Sequence, residues 1–192
     1  MEFVNIFTET YEYIGVMERE EAHTRGEWHE VFHCWCLSCD EGEWHVYLQL
    51  RSPDKKDYPG LYDITAAGHL EADESVEDGV REVKEEIGID VAYEELEKVA
   101  LLDTWIGKDR EFAHEHMYVC RHSFSQFTLQ EEEVEDVDRV SWEDFKRLWL
   151  GTAVRINSAK GHTLQRESFV PHENEYYPKL IEAIDRALIG RT

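Results

Sequence analysis

Three carboxylates recur at helical spacing in Arg81-Glu82-Val83-Lys84-Glu85-Glu86-Ile87-Gly88-Ile89, and this stretch constrains the chain more than any other. On a helix, positions three and four apart share a face. Glu82, Glu85 and Glu86 therefore converge, and like charges so placed repel. A cation between them relieves the repulsion. A few hard oxygen ligands, with room left for water and phosphate oxygens, suit Mg²⁺, with Mn²⁺ as an alternative. The bland alternative is a surface helix that is merely acidic.

The formal charge of −23 bears on partners. Nucleic-acid binding rests on neutralising phosphates with Lys and Arg, so this chain is not expected to bind nucleic acid. The same charge disfavours anionic membrane surfaces. No apolar run approaches the ~20 residues of a membrane span. The start, Met1-Glu2-Phe3-Val4-Asn5, lacks a basic-then-apolar leader. A cytoplasmic location is the expectation. An acidic protein acting on an anionic diphosphate needs cations to mediate, which agrees with the metal reading.

At 192 residues the chain suits one domain, 1–192. Strands are expected over Phe3–Phe7 and Tyr13–Val16, with 1–27 an N-terminal strand region. Glu30–Ser38 and Glu43–Leu50 read as a hairpin around Asp40-Glu41-Gly42. Further strands are expected over Glu97–Ile106, Glu115–Arg121 and Val137–Ser141. The motif helix should begin near Ser75 and end at Gly88, a glycine cap. Ser141 should cap a helix over Trp142–Leu150, and Tyr176–Leu188 has one apolar side. Strands interleaved with helices indicate an α/β class with a mixed sheet between helical layers. Cys34-x-Cys36-x-x-Cys39 admits a zinc reading. A strand through Val31–Leu37 instead buries Cys34 and Cys36 on one face as small hydrophobes.

Gly68, Glu74 and Arg81 through Ile89 resemble the signature of the Nudix hydrolases: Gly, five residues, Glu, seven residues, then Arg-Glu-apolar-any-Glu-Glu-any-Gly-apolar. One departure is the segment Ser75 to Val80, one residue shorter than the pattern, which leaves the placement of Glu74 open. The resemblance is strongest over 28–150, with 151–192 a loop and a C-terminal helix, and it implies a Nudix-like α/β/α sandwich. Leu48-Gln49-Leu50-Arg51, Lys55-Lys56, Tyr58-Pro59-Gly60-Leu61-Tyr62-Asp63 and Ala67-Gly68-His69 are similar to the isopentenyl-diphosphate isomerase-like branch. Arg19-Glu20-Glu21-Ala22-His23 and Trp28-His29 resemble the N-terminal motif of that branch.

What the resemblance implies is Mg²⁺-dependent cleavage of a diphosphate bond in a small organic or nucleoside diphosphate, the reaction of a MutT-like pyrophosphohydrolase. Glu82, Glu85 and Glu86 are the implied metal ligands, with Glu74 a weaker fourth. Arg81 orients the helix carboxylates. The general base is Glu115 or Glu133, and the residues leave that choice open. Arg51, Lys55 and Lys56 are the expected phosphate contacts, since Arg donors fit phosphate oxygens. His23, His29, His69 and Glu115 resemble the isomerase's further metal site, a donor set suited to Zn²⁺, Mn²⁺ or Fe. Residues 104–114 and 151–175 are expected to carry specificity, the latter as a lid or as a contact in a homodimer.

Two rivals remain. An isomerase would need a thiol where Ala67 stands, and alanine transfers no proton. A non-catalytic binding module would be marked by degraded carboxylates, and this helix has lost none.

Overall fold

The computed structural model describes residues 1–121 and 123–191. A central strand, β3 (Trp28–Asp40), organises it. Along one edge β3 pairs in parallel with β8 (Asp109–Val119), in register from Trp28↔Arg110 to Leu37↔Val119. Its other edge is shared in turn. β1 (Phe3–Phe7) pairs at its start, β6 (Ala66–His69) in the middle through Val31↔His69 to Cys34↔Ala66, and β4 (Glu43–Arg51) at its end. β2 (Tyr13–Glu18), β5 (Tyr62–Asp63), β7 (Glu97–Ile106) and β9 (Val134–Ser141) extend the sheet to nine strands. Among the strands of this sheet in the described residues, only β3 and β8 pair in parallel; the rest are antiparallel.

The side-chain alternation of β3 explains why both faces of the sheet are covered. Trp35 and Leu37 join one core with α3 (Trp142–Trp149) and α4 (Tyr176–Leu188). Phe32, Cys34 and Cys36 point the other way, into a core closed by α2 (Arg81–Ile87) through Val83 and Ile87. The result is an α/β/α sandwich with a mixed sheet. Cys34 and Cys36 are fully buried within that second core, as the strand reading requires, and among the described residues no metal-type grouping includes them.

Several boundaries move from the sequence expectation. The motif helix is short: a 3₁₀ turn, Asp78–Val80, precedes α2, and Ser75 instead donates to Asp78 Oδ2 from its N–H at 2.8 Å and its hydroxyl at 2.7 Å. Gly79 lets this turn lie against β3, because a Cβ there would sit 2.6 Å from the Phe32 Cβ. The polar stretch after β2 forms α1 (Arg19–Arg25). β8 begins at Asp109, six residues before the expected start, so His114, Glu115 and His116 lie inside a strand. Ser141 caps α3 as expected, accepting from the Asp144 N–H at 3.1 Å. Residues 151–175 do not hang as a lid: Ile156, Leu164, Phe169 and Val170 are buried, and β10 (Ile156–Asn157) pairs with β11 (Thr163–Leu164).

Candidate active site

A cleft of about 800 Å³ opens where α2, β6 and the loop after β4 meet. It gathers Glu82, Glu85 and Glu86 from α2, Arg51 and Lys55 from the β4 side, and Glu133 from the segment before β9. The helix carboxylates are not equivalent. Glu86 is buried, and its Oε2 accepts from the Gln49 side chain and the Ala67 N–H, each at 2.9 Å. Burial pushes its pKa to about 8 despite those donors, with Glu82 adding to the rise. Glu82 is also raised, to about 7, chiefly by burial, although Arg81 opposes the shift. Glu85 is half exposed. A buried and a part-buried carboxyl that resist ionisation side by side, with the Glu85 carboxylate next to them, fit a hard divalent cation.

The local sequence enforces this crowding. A Cβ on Gly68 would fall 2.0 Å from Glu82 Oε1, so glycine here leaves room for the Glu82 carboxyl where β6 passes α2. Gly88 ends the helix at φ 73°, its N–H bonded to Lys84 O at 3.0 Å. Arg81 reaches across the group, donating to Glu74 at 2.6 and 3.0 Å, to Glu82 at 2.5 Å and to Glu85 at 3.3 Å. Glu74 is thereby turned to Arg81, which lowers its pKa, and it is not among the cleft's lining residues.

Arg51 lines the cleft but is also engaged, with Asp63 Oδ2 at 3.0 Å and the Asp57 carbonyl at 2.8 Å. Lys55 forms an ion pair with Glu133, and Lys56 lines the same wall. Of the two carboxylates weighed as general base, Glu133 faces this cleft. Glu115 is fully buried elsewhere, accepting from the Trp35 indole and from His33 Nδ1, both at 2.9 Å. Burial opposes a charge on His33, yet the Glu115, Glu111 and Asp63 carboxylates together raise its pKa.

The four residues proposed for a further metal therefore do not all meet. His23, His29 and His69 do, with ring centroids 5.0 to 5.1 Å apart, but Asp109 completes the group in place of Glu115. Ligand atoms of His23, His29, His69 and Asp109 all lie within 4.8 Å of one another. His29 Nδ1 lies 3.1 Å from the Glu27 carbonyl, which fixes the proton there. Its Nε2 then holds a lone pair facing Asp109 Oδ1 at 3.4 Å, acceptor against acceptor, and neither atom has a hydrogen-bond partner among the described residues. Burial lowers the pKa of His29 and, more strongly, of His69. Neutral imidazoles opposite a carboxylate fit a borderline cation.

Sequence reasoning passed over Gln49 and Asp109. Gln49 was detectable as a polar residue between apolar neighbours in Leu48-Gln49-Leu50. Asp109 was hidden because 104–114 reads as a loop, whereas 104–106 end β7, 109–114 begin β8, and only Gly107-Lys108 turn between them.

The NUDIX domain family model matches residues 16–165. An uncharacterised Nudix hydrolase of Clostridium acetobutylicum is 34% identical over 95% of this chain and 97% of its own. The prenyl-diphosphate phosphatase of Methanosarcina mazei is 27% identical over 71% and 75% of the two chains. An isopentenyl-diphosphate Delta-isomerase of Salmonella paratyphi B is 28% identical over 70% and 73%. The crystal structure of DR0079 from Deinococcus radiodurans superposes with a TM-score of 0.61 at 16% identity, over 96% and 98% of the chains, and shares the fold. The chain belongs to the Nudix hydrolase family. Members of that family generally work with divalent metal ions. Among the described residues no helix is long and apolar enough to cross a membrane.

Proposed function

We propose that this protein is a Mg²⁺-dependent, cytoplasmic hydrolase that cleaves the diphosphate bond of a small organic or nucleoside diphosphate. The observation that carries the reading is Glu82, Glu85 and Glu86 converging on one wall of a cleft that also holds Arg51 and Lys55. Glu82, Glu85 and Glu86 would hold the ion. A divalent cation there supplies Lewis-acid polarisation and lowers the pKa of bound water. Arg81 keeps the carboxylates aligned, and its bonds to Glu74 make that residue a positioning group and not a ligand. Arg51 and Lys55 orient and neutralise phosphate oxygens. Glu133 takes the proton from the attacking water, because it alone of the two candidate bases lines the cleft. Glu115 instead fixes His33.

His23, His29, His69 and Asp109 would hold a second, softer ion such as Zn²⁺, Mn²⁺ or Fe. Ala67 at the position where isomerisation needs a thiol weighs against the isomerase reading. The test is phosphate or monophosphate release from a panel of nucleoside, sugar and isoprenoid diphosphates, with Mg²⁺ and Mn²⁺ each supplied after chelation. Metal-restored turnover of at least one diphosphate is expected; no release from any of them overturns the reading.

A further inference from the structure

His172 lies in the segment before α4, and its ring packs on Tyr176 at 4.5 Å between centroids. It lines the cleft, yet its side chain is only 3% exposed. Nε2 sits 3.3 Å from Asp63 Oδ1, and Asp63 in turn accepts from Arg51 at 3.0 Å and from the Ile64 N–H at 2.9 Å. This three-residue chain runs from the proposed phosphate contact to a histidine deep in the cleft wall. It also fixes the imidazole ring. The other ring nitrogen, Nδ1, is buried without a partner among the described residues.

Glu111 repeats the pattern from β8. It lines the same cleft, is 7% exposed, and its Oε2 is likewise buried and unpartnered. Both groups border His33, whose ring lies 6.0 Å from that of His172 and whose charge Glu111 favours. Buried polar atoms left unmet are costly, and a group that enters the cleft and bonds them recovers that cost. A hydrocarbon chain pressed against this wall could satisfy neither atom. A hydroxyl group, donor and acceptor at once, could satisfy either.

We infer that His172 is a specificity-determining residue whose Nδ1 hydrogen-bonds a hydroxyl on the organic part of the substrate, with Glu111 as a second contact. The inference rests on the diphosphate-hydrolase reading and narrows it. Diphosphates with a hydroxylated organic group are turned over in preference to those with a hydrocarbon one, because a site built to bond a hydroxyl discriminates strongly against its absence.

The experiment compares kcat/KM for ADP, ADP-ribose and geranyl diphosphate with excess Mg²⁺, in the wild type and in His172→Phe and His172→Gln. The wild type should favour at least one hydroxylated substrate over geranyl diphosphate by ~10²-fold or more. Which of ADP and ADP-ribose is preferred distinguishes a hydroxyl on the nucleoside from one on a terminal sugar. His172→Phe keeps an aromatic ring for Tyr176 and should erase most of that preference, lowering turnover of the hydroxylated substrates by a much larger factor than that of geranyl diphosphate, with partial recovery in His172→Gln. A merely structural histidine would lower all substrates alike. Wild-type preference for geranyl diphosphate, or an equal fall for every substrate in His172→Phe, overturns the inference while leaving the hydrolase reading intact. No turnover of any of the three, nor of the wider panel, removes the reading itself. Should His172→Phe fail to fold, His172→Gln carries the comparison: a reduced preference supports the inference, and an unchanged preference or an equal fall for every substrate overturns it.

Discussion

Arg81 holds Glu74 through two nitrogens, Nε at 2.6 Å and Nη2 at 3.0 Å, one on each carboxylate oxygen. With Glu74 Oε2 also accepting from the Glu71 N–H at 2.8 Å, little of this carboxylate remains for a cation. The short segment from Ser75 to Val80 accounts for the arrangement, since it ties Glu74 back to the start of α2. Glu74→Gln should thus cost less turnover than Glu86→Gln. An inner-sphere bond from Glu74 in a metal-loaded crystal structure would contradict this placement.

Glu85→Gln and Glu86→Gln are each expected to lower turnover at least ~10²-fold, about 2.7 kcal/mol in the barrier, with the fold retained. Glu86 adds a second readout. Its folded pKa of about 8 exceeds the ordinary 4.5, so folding favours the protonated acid. That stability is whole below about pH 4.5 and is lost as pH rises through about 8. Without metal, Glu86→Gln should melt higher than wild type above pH 8, on the order of 1 kcal/mol or more, and the gap should close toward pH 5. Melting curves in EDTA across that range check it; a gap independent of pH would refute the buried-acid account.

Gly68→Ala tests the close approach of β6 to α2. The new Cβ would collide with the Glu82 carboxyl, which is the movable end of a side chain, so the fold should survive and Glu82 should shift. Turnover should drop and the apparent Mg²⁺ affinity weaken, while the unfolding midpoint changes by less than ~1 kcal/mol. Mg²⁺ titration of activity alongside urea unfolding separates the two effects. Unchanged metal affinity would mean that Glu82 is not a ligand.

Much of this site could be read before the fold was known, and the reasons are local. Carboxylates three and four apart on a helix, a glycine at its end and Gly68 on its neighbour are constraints written in consecutive residues. The sheet's mixed character followed from strands interleaved with helices, and the burial of Cys34 and Cys36 from period-two alternation. What stayed hidden depends on pairing across the chain. β3 and β8 align in parallel, with His29 opposite Glu111 and His33 opposite Glu115. That register moves Glu115 under α4 and brings Asp109 to the histidines, and no short-range pattern carries it. His172 is invisible for the same reason, since only the packing of 151–175 against β5 and α4 brings it to Asp63.

The His29–Asp109 pair should govern the second cation. Asp109→Asn replaces the facing carboxylate with an amide and removes the charge that neutral imidazoles need opposite them. Zn²⁺ or Mn²⁺ bound to the metal-depleted protein should fall in affinity at least ~10-fold by calorimetry, with Mg²⁺ binding at Glu82, Glu85 and Glu86 preserved. Wild-type affinity should fall as pH drops toward 5, because protons compete for the imidazoles. Equal affinity in wild type and Asp109→Asn would exclude Asp109 as a ligand of that ion.

Ala67 separates hydrolysis from isomerisation. Its N–H donates to Glu86 Oε2 at 2.9 Å, so its backbone already serves the carboxylate cluster while its side chain is only a methyl group. Isomerising a carbon–carbon double bond requires an acid and a base on opposite faces of the skeleton, each within hydrogen-bond reach. Hydrolysis makes no such demand here, since water is the nucleophile. The wild type is therefore expected to leave isopentenyl diphosphate unisomerised while releasing phosphate or monophosphate from at least one other diphosphate. Ala67→Cys should preserve the Glu86 contact, which is made by the backbone, and should not by itself confer efficient isomerisation. Assaying both proteins for dimethylallyl diphosphate, with phosphate release measured in parallel, decides the matter. Efficient isomerisation by the wild type, with no diphosphate hydrolysed, would make this chain an isomerase built on the same fold.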